Sequence, residues 1–410
     1  MQMAEEQVCD VLIVGGGLAG GALALALADS SLRVAVVEAQ PFPEQLPPLG
    51  ESVADYDPRV SALTEASRRF LDSLGVWRDI VAQRACAYRE MSVWDAEGTG
   101  EIHFDAADVG RPCLGHIVEN RIITTSLLHR LRQRGGVQCI FGVQAESLEN
   151  CGDSAVLQLA DGRRLRAALV VAADGANSRV RQWAGFHTRE WDYKHWAIAT
   201  TVETSQSHRD TAWQRFLPEG PLAFLPLADA EGSGTFSSIV WSATPALAES
   251  LMAQPDDEFC TSLGRHFEHR LGEVVATGKR FSFPLRQRHA VDYFRGSVVL
   301  IGDAAHSIHP LAGQGINLGF ADAQALAEEL LRGRERQLSA GDRGVLARYQ
   351  RRRKGDNLAM MAAMEGFQNL FGSSLPPLRL IRNIGMSWLD GAAPLKRRIV
   401  SRAMGIEAGV

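Results

Sequence analysis

Asp10-Val11-Leu12-Ile13-Val14 runs without a break into Gly15-Gly16-Gly17-Leu18-Ala19-Gly20, and few folds accommodate that junction. The short apolar, β-branched run is the signature of a strand buried on both faces. Leu18 to about Ala28 is rich in alanine and leucine and reads as a helix. Leu32 to Val37 reads as a second buried strand that ends at Glu38. Strand, glycine turn, helix, strand and terminal acid together make the βαβ dinucleotide fingerprint. Gly15 permits the tight turn, Gly17 lets backbone approach a pyrophosphate, and Gly20 lets helix and strand pack closely. The helix amino terminus offers free N–H groups and a positive dipole end to the phosphates. Glu38 stands where a carboxylate can bind ribose hydroxyls. A chance glycine cluster at a turn is the bland alternative, and the motif alone does not say which dinucleotide is bound.

The bulk properties leave room for such a fold and exclude others. At 410 residues the chain is too long for one ordinary core, so two domains, or one large domain with an insertion, are expected. A net charge of -5 gives no electrostatic footprint for nucleic acid. Met1 to Gln7 is acidic and unlike a secretory signal, and no apolar run reaches the roughly 18 residues of a membrane span. The six cysteines are scattered without a CxxC pair, which argues against a zinc site and fits reduced thiols in a cytoplasm.

Two later segments extend the nucleotide reading. Ala168 to Ala173 reads as a strand that delivers Asp174-Gly175-Ala176-Asn177-Ser178-Arg179-Val180-Arg181. Ser297 to Ile301 reads as another, ending in Gly302-Asp303-Ala304-Ala305-His306. Both turns fall where open α/β sheets bind ligands, at the carboxyl ends of strands. Asp303 can accept a hydrogen bond from a sugar-type hydroxyl. Beyond it, Gly313-Gln314-Gly315-Ile316-Asn317-Leu318-Gly319 leads into a helix starting near Ile316, whose dipole can stabilise negative charge on a bound ring.

In this order and spacing the chain resembles the single-component aromatic hydroxylases of the 4-hydroxybenzoate hydroxylase type, which are FAD enzymes. His309-Pro310-Leu311-Ala312-Gly313-Gln314-Gly315-Ile316-Asn317-Leu318-Gly319-Phe320-Ala321-Asp322 matches the signature stretch of the ubiquinone-biosynthesis flavin hydroxylases. Asp57-Pro58-Arg59-Val60-Ser61-Ala62-Leu63, Leu114-Gly115-His116-Ile117-Val118-Glu119-Asn120 and Ala223-Phe224-Leu225-Pro226-Leu227 extend the likeness over nearly the whole chain. Several segments, with Tyr88 and Met91-Ser92-Val93-Trp94-Asp95, look closest to the 2-polyprenylphenol hydroxylase branch. Leu375-Pro376-Pro377-Leu378-Arg379 looks more like the branch acting on the later demethoxy-quinol.

The resemblance implies an α/β fold: a Rossmann-like FAD-binding domain with an inserted antiparallel β-sheet substrate domain and a helical C-terminus. The FAD-binding part would take residues 1–85, 106–189 and 289–355, the substrate sheet 86–105 and 190–288, and the C-terminal segment 356–410. It implies cofactor contacts from Gly15, Gly17, Gly20, Glu38, Arg59, Asn120, Arg121, Asp174 and Asp303, and from backbone at Gly315, Ile316 and Asn317. For Arg59 a helix-end surface charge, and for Arg121 a solvated helix residue, are the competing readings. His309 and Pro310 are assigned positioning roles at the reacting ring. His306 and His309 are also candidates for taking a phenolic proton, since imidazole titrates near neutrality.

Ala197 to Glu203, Thr211 to Phe216, Leu222 to Pro226 and Ser237 to Ser242 are short, turn-bounded and rich in β-branched or aromatic residues, as antiparallel strands are. Phe224, Pro226 and Trp241 are substrate-lining candidates, although packing between sheet and helices is the commoner fate of such residues. From 356 onward Met360, Met361, Met364, Phe367, Leu370 and Phe371 suggest an apolar face. Arg379, Arg382, Lys396, Arg397, Arg398 and Arg402 supply positive charge. That combination suits a membrane surface or a docking partner, or a helix packing on its own core.

The implied activity is FAD-dependent hydroxylation of a polyprenylated phenol or quinol in ubiquinone biosynthesis. NADH or NADPH would be a transient co-substrate, and dioxygen would react through a flavin hydroperoxide. The place of action would be the cytoplasm, peripheral to the inner membrane, with a ubiquinone-biosynthesis protein complex as partner and no metal. Hydroxylation of a small soluble aromatic, or a redox-silent scaffold flavoprotein, are the alternatives.

Overall fold

The computed structural model describes residues 6–48, 50–307, 315–371, 385, 388 and 390–405. Among them the strands form three sheets. The eight-stranded sheet has Phe294–Arg295, Val298–Leu300, Arg164–Ala172, Glu6–Val14, Val34–Glu38 and Val137–Phe141 in that order, with two further strands folded onto its middle. The four junctions from Val298–Leu300 to Val137–Phe141 are parallel, so these strands end on one edge. The inner half of the first strand is buried on both faces, and Val11, Leu12 and Ile13 have no exposed surface. Burial on both faces is what a continuous apolar run requires in a parallel sheet. The first helix, Leu18–Leu27, and the long helix Gly315–Glu335 pack against each other beside it.

The nine-stranded sheet is where the sequence was least explicit. Its path is His306–Ser307, Phe281–Ala290, Thr188–Thr204, Phe236–Ala243, Gly220–Pro226, Thr211–Leu217, Glu90–Asp95 and Glu101–Asp105, with Val274–Thr277 off the path. The strand read as Ala197 to Glu203 is the inner part of a 17-residue strand. Its first half is largely exposed, with Trp191 at 59% exposure, and so lacks a hydrophobic alternation. Helices Pro245–Ala253 and Asp256–His266, absent from the sequence reading, cover one face. Cys86–Tyr88 joins Val60–Leu63 and Gly115–Glu119 in the three-stranded sheet rather than the larger one.

Side-chain alternation assigns the faces of this sheet. Ile198, Val202, Leu222, Phe224, Ile239 and Trp241 pack with Leu251, Phe259, Leu263 and Phe267 of the covering segments. Phe224 stacks on Phe267 at 3.7 Å. Ala212, Leu225 and Leu227, with Ala223 and Val240, pack instead with Tyr56 and with Ala62, Cys86 and Ile117 of the small sheet. Period-two alternation therefore sends each odd-even pair to opposite sides.

The C-terminal helix Ala393–Ala403 docks on its own protein. Val400 and Met404 are buried with Ala106 and Leu114, and Lys396 Nζ donates to the His103 carbonyl at 2.8 Å. The helix Arg343–Phe371 begins well before residue 356, and Met361 is buried. The side chains of Met364, Phe367, Leu370, Phe371 and Arg402, and the whole of His309, Pro310, Leu375 to Arg379 and Arg382, lie outside the described residues. Among the described residues no helix is long and apolar enough to cross a membrane.

Candidate active site

Three glycine-bearing segments meet at the carboxyl edge of the parallel sheet. Gly15 has φ +105, a conformation that only glycine adopts at low cost, and its N–H donates to the Val37 carbonyl at 2.8 Å. A Cβ there would stand 2.4 Å from the Ala173 carbonyl oxygen, which ties the first turn to the Asp174-Gly175 turn. Gly302 and Gly319 face Ala19 of the first helix, their Cβ positions 3.2 and 3.6 Å from its methyl. First helix, Gly302-Asp303 turn and long helix thus cross at one point.

Acidic side chains stand around that point. Glu38 accepts from Gly16 N–H at 2.6 Å through Oε2 and from Gln40 N–H at 2.8 Å through Oε1. Each oxygen keeps a lone pair for a ribose hydroxyl. Asp174 Oδ2 caps the short helix Arg179–Trp183, taking N–H bonds from Arg179 and Val180 at 2.8 and 3.2 Å. Its Oδ1 is buried without a partner among the described residues. An unpaired buried carboxylate oxygen is costly and marks a place where a ligand donor fits.

Asp303 is accessible to solvent, yet lost hydration pushes its pKa above the ordinary carboxylate value. His306 opposes that shift and the Asp322 carboxylate adds to it. Accessible surface and desolvation point opposite ways, and a carboxyl in a recess, wet on one side and crowded on the others, satisfies both.

Asn317 spends its side chain on structure. Its Oδ1 accepts from Thr64 N–H at 3.1 Å and Ser67 Oγ at 2.7 Å, and its Nδ2 donates to the Ala62 carbonyl at 2.8 Å. These bonds hold the first turn of the long helix against the small sheet. The backbone N–H groups of Gly315, Ile316 and Asn317 open this helix and have no acceptor within it, as the helix terminus of an anion site requires.

The remaining sequence candidates divide. Arg59 is 75% exposed and lies 3.8 Å from Asp57, free to reach outward. Arg121 is not the solvated residue that the sequence allowed. It donates to buried Glu119 at 2.9 Å and to the Asp55 carbonyl. Asn120 accepts from Ser61 Oγ at 2.5 Å beside it. Phe224 and Trp241 are essentially without exposed surface on the helix-covered face, turned away from the nucleotide-binding half. The positions on the same strands that face the small sheet are their neighbours Ala223, Leu225 and Val240. Pro226 is buried at the end of its strand, opposite Ser237. His306 is 2% exposed and bonded to Asp322 at 2.5 Å, which removes it as a base for a substrate proton.

Sequence reasoning missed the clamps between these segments. Arg181, buried at 3% exposure, donates to the Ala304 carbonyl at 3.0 Å and the Ala176 carbonyl at 2.8 Å, joining the second and third turns. Its place in Asp174 to Arg181 was visible, but not its direction. Arg84 bonds buried Glu119 and the Pro48 and Asp55 carbonyls, and no local pattern signals that.

The open backbone at Gly17 and Gly175, where a Cβ meets nothing within 4 Å, and the orphaned Asp174 oxygen fit a dinucleotide laid across this edge. Replacing Glu38 by alanine is expected to weaken dinucleotide binding about tenfold, by loss of a charged acceptor. Titration of the apoprotein measures this, and unchanged affinity would remove Glu38 from the site.

Comparison with known proteins agrees with this geometry. Residues 8–363 match the family model described as FAD binding domain. The chain is 40% identical to the 3-demethoxyubiquinol 3-hydroxylase of Escherichia coli, covering 98% of this chain and 99% of that protein. It is 38% identical to the ubiquinone hydroxylase UbiL of Rhodospirillum rubrum, covering 98% and 90%. It is 33% identical to the human mitochondrial ubiquinone biosynthesis monooxygenase COQ6, covering 97% and 93%. Among solved structures, p-nitrophenol 4-monooxygenase from Pseudomonas putida superposes with a TM-score of 0.78 at 22% identity, covering 99% of this chain and all of that one, a likeness of fold.

Proposed function

The chain belongs to the FAD binding domain family, among the ubiquinone-biosynthesis flavin hydroxylases, and from that premise we propose that it hydroxylates a polyprenylated phenol or quinol. The observation that carries the substrate class is the sheet face turned toward the nucleotide-binding half. By register Ala197, Ala199, Val240, Ala223 and Leu225 share it with the hydroxyls of Thr201, Ser238 and Ser242, and Phe281 and Phe283, each 41% exposed, lie along its edge. Small uncharged side chains, apolar and hydroxyl, bordered by aromatic ones suit a phenol ring with a greasy tail better than a charged aromatic acid.

FAD, when bound, supplies the redox chemistry, taking electrons from NAD(P)H and activating dioxygen. The protein's own residues bind, orient and keep water out. The first helix terminus and Gly17 would receive the pyrophosphate, Glu38 the adenosine ribose and Asp303 the ribityl hydroxyls. Amides of Gly315 to Asn317 would stabilise negative charge on the bound ring. The uncharged sheet face would shield the substrate ring from water.

Aerobic incubation with NAD(P)H and three substrates tests this: a short-chain demethoxy-quinol, a short-chain prenylphenol and a small hydroxybenzoate. A product heavier by one oxygen atom is expected from a prenylated ring and not from the hydroxybenzoate. The opposite preference would replace this reading with hydroxylation of small soluble aromatics.

The outward side of the C-terminal helix supports contact with a lipid surface. Leu395 and Ile399 are 41% and 38% exposed at i, i+4 spacing, Trp388 is 65% exposed, and Arg397 and Arg398 are exposed beside them. Apolar groups flanked by positive charge bind anionic interfaces. Co-sedimentation with vesicles containing anionic lipid is expected for the native protein and lost in a Leu395→Glu, Ile399→Glu double variant. Absence of native binding would leave this face as plain surface.

A further inference from the structure

Beneath the Gly302-Asp303 turn lies a chain of buried polar side chains that no step of the reaction uses. At its centre Asp322 has no exposed surface. Its Oδ2 accepts from Gly302 N–H at 3.0 Å and from His306 Nε2 at 2.5 Å. Its Oδ1 accepts from Arg353 Nε at 2.8 Å and Asn357 Nδ2 at 3.3 Å. Asn357 reaches on to the Tyr293 hydroxyl at 3.0 Å, which meets His289 Nε2 at 3.1 Å.

One oxygen of Asp322 thus grips both ends of the segment from Gly302 to His306, with Asp303 between the two anchors. Neutralising Asp322 does not require His306, because Arg353 already supplies a cation. What His306 adds is geometry. It lies on the short strand His306–Ser307, which pairs with Phe281–Ala290 of the nine-stranded sheet through His289. Burial and the neighbouring His306 hold His289 down at about 4, so it stays neutral and does not compete for the carboxylate. Gly302, at φ +56, is meanwhile wedged against Ala19 and Gly319. The turn has no slack of its own once both anchors are made.

We propose that His306 is a positioning residue for the flavin, acting through Asp322 to fix the turn that presents Asp303 to the ribityl chain. This rests on the reading that Asp303 faces the cofactor. It concerns the aim of the carboxylate and not a proton of the substrate.

The test compares His306→Leu with His306→Gln, since the Gln amide nitrogen reaches the place of the ring Nε2 while Leu fills the space without a donor. FAD affinity of the apoprotein, the visible spectrum of the bound flavin and the apoprotein melting temperature are measured for each. His306→Leu is expected to weaken FAD about tenfold and alter the flavin spectrum, with His306→Gln within about threefold of native. The apoprotein melting temperatures are expected to stay close to one another. Native-like FAD binding by His306→Leu, or a loss as large in His306→Gln, would overturn the proposal. Should His306→Leu fail to fold, His306→Asn, too short to reach Asp322 Oδ2, is compared with His306→Gln by the same criterion. Because the readout is FAD affinity, a wrong substrate assignment leaves this result untouched.

Discussion

Replacing Gly20 with alanine is expected to strip the protein of FAD and to cost about 3 kcal/mol of stability, the upper end for overpacking. The added Cβ would lie 1.9 Å from the Gly15 carbonyl oxygen and 3.0 Å from the Ala173 methyl. Both neighbours belong to the cofactor turns, and one is backbone that cannot rotate aside. Relief requires the first helix to lift from the parallel sheet, which takes its amino terminus away from the pyrophosphate. Gly17→Ala makes the informative contrast, because its Cβ meets no protein atom within 4 Å. That variant should melt like the native apoprotein and still bind FAD poorly, since the space it fills is the ligand's. Thermal melts with flavin fluorescence measure both, and a Gly20→Ala protein that retains FAD would contradict the packing described.

Asp322→Asn is the second large effect, with an expected loss of about 3–5 kcal/mol. Removing the charge leaves the guanidinium of Arg353, itself 7% exposed, without its buried partner and gives Gly302 and His306 a poorer acceptor. Burial alone would raise the Asp322 pKa, but His306 and Arg353 outweigh it and hold the carboxyl below the ordinary range. A depressed carboxylate stabilises the fold above its unfolded value, near 3.9, and loses that contribution as pH falls through the folded value. The difference between native and Asp322→Asn in urea denaturation should therefore be flat from about pH 8 to 5 and shrink below about 4. A penalty that vanished already at neutral pH would mean that Asp322 is not ionised there.

The nucleotide-binding edge was legible because its constraints are local. Gly15, Gly17, Gly20 and Glu38 lie within one βαβ unit, and burial on both faces writes an apolar run into the strand itself. Asp174 and Asp303 could be placed for the same reason, each directly following such a strand. The nine-stranded sheet was harder, since Thr188 to Trp196 is mostly exposed and carries no alternation. Phe224 and Trp241 show the cost of reading residue type without parity. An aromatic on a strand points to one face or the other, and only the helices Pro245–Ala253 and Asp256–His266 decide which face is core. Ion-pair partners were the least visible. Asp322 and Arg353 are 31 positions apart, and Arg84 and Glu119 are 35 apart, so neither pairing leaves a local pattern.

The most direct measurement of the central claim is a turnover of FAD-loaded protein with NAD(P)H and a short-chain demethoxy-quinol under isotopically labelled dioxygen. The expected result is a ring-hydroxylated product carrying one labelled oxygen atom, with NAD(P)H consumed in equal amount. Consumption of NAD(P)H that yields only hydrogen peroxide with every prenylated ring, or a product oxygen drawn from water, would contradict it.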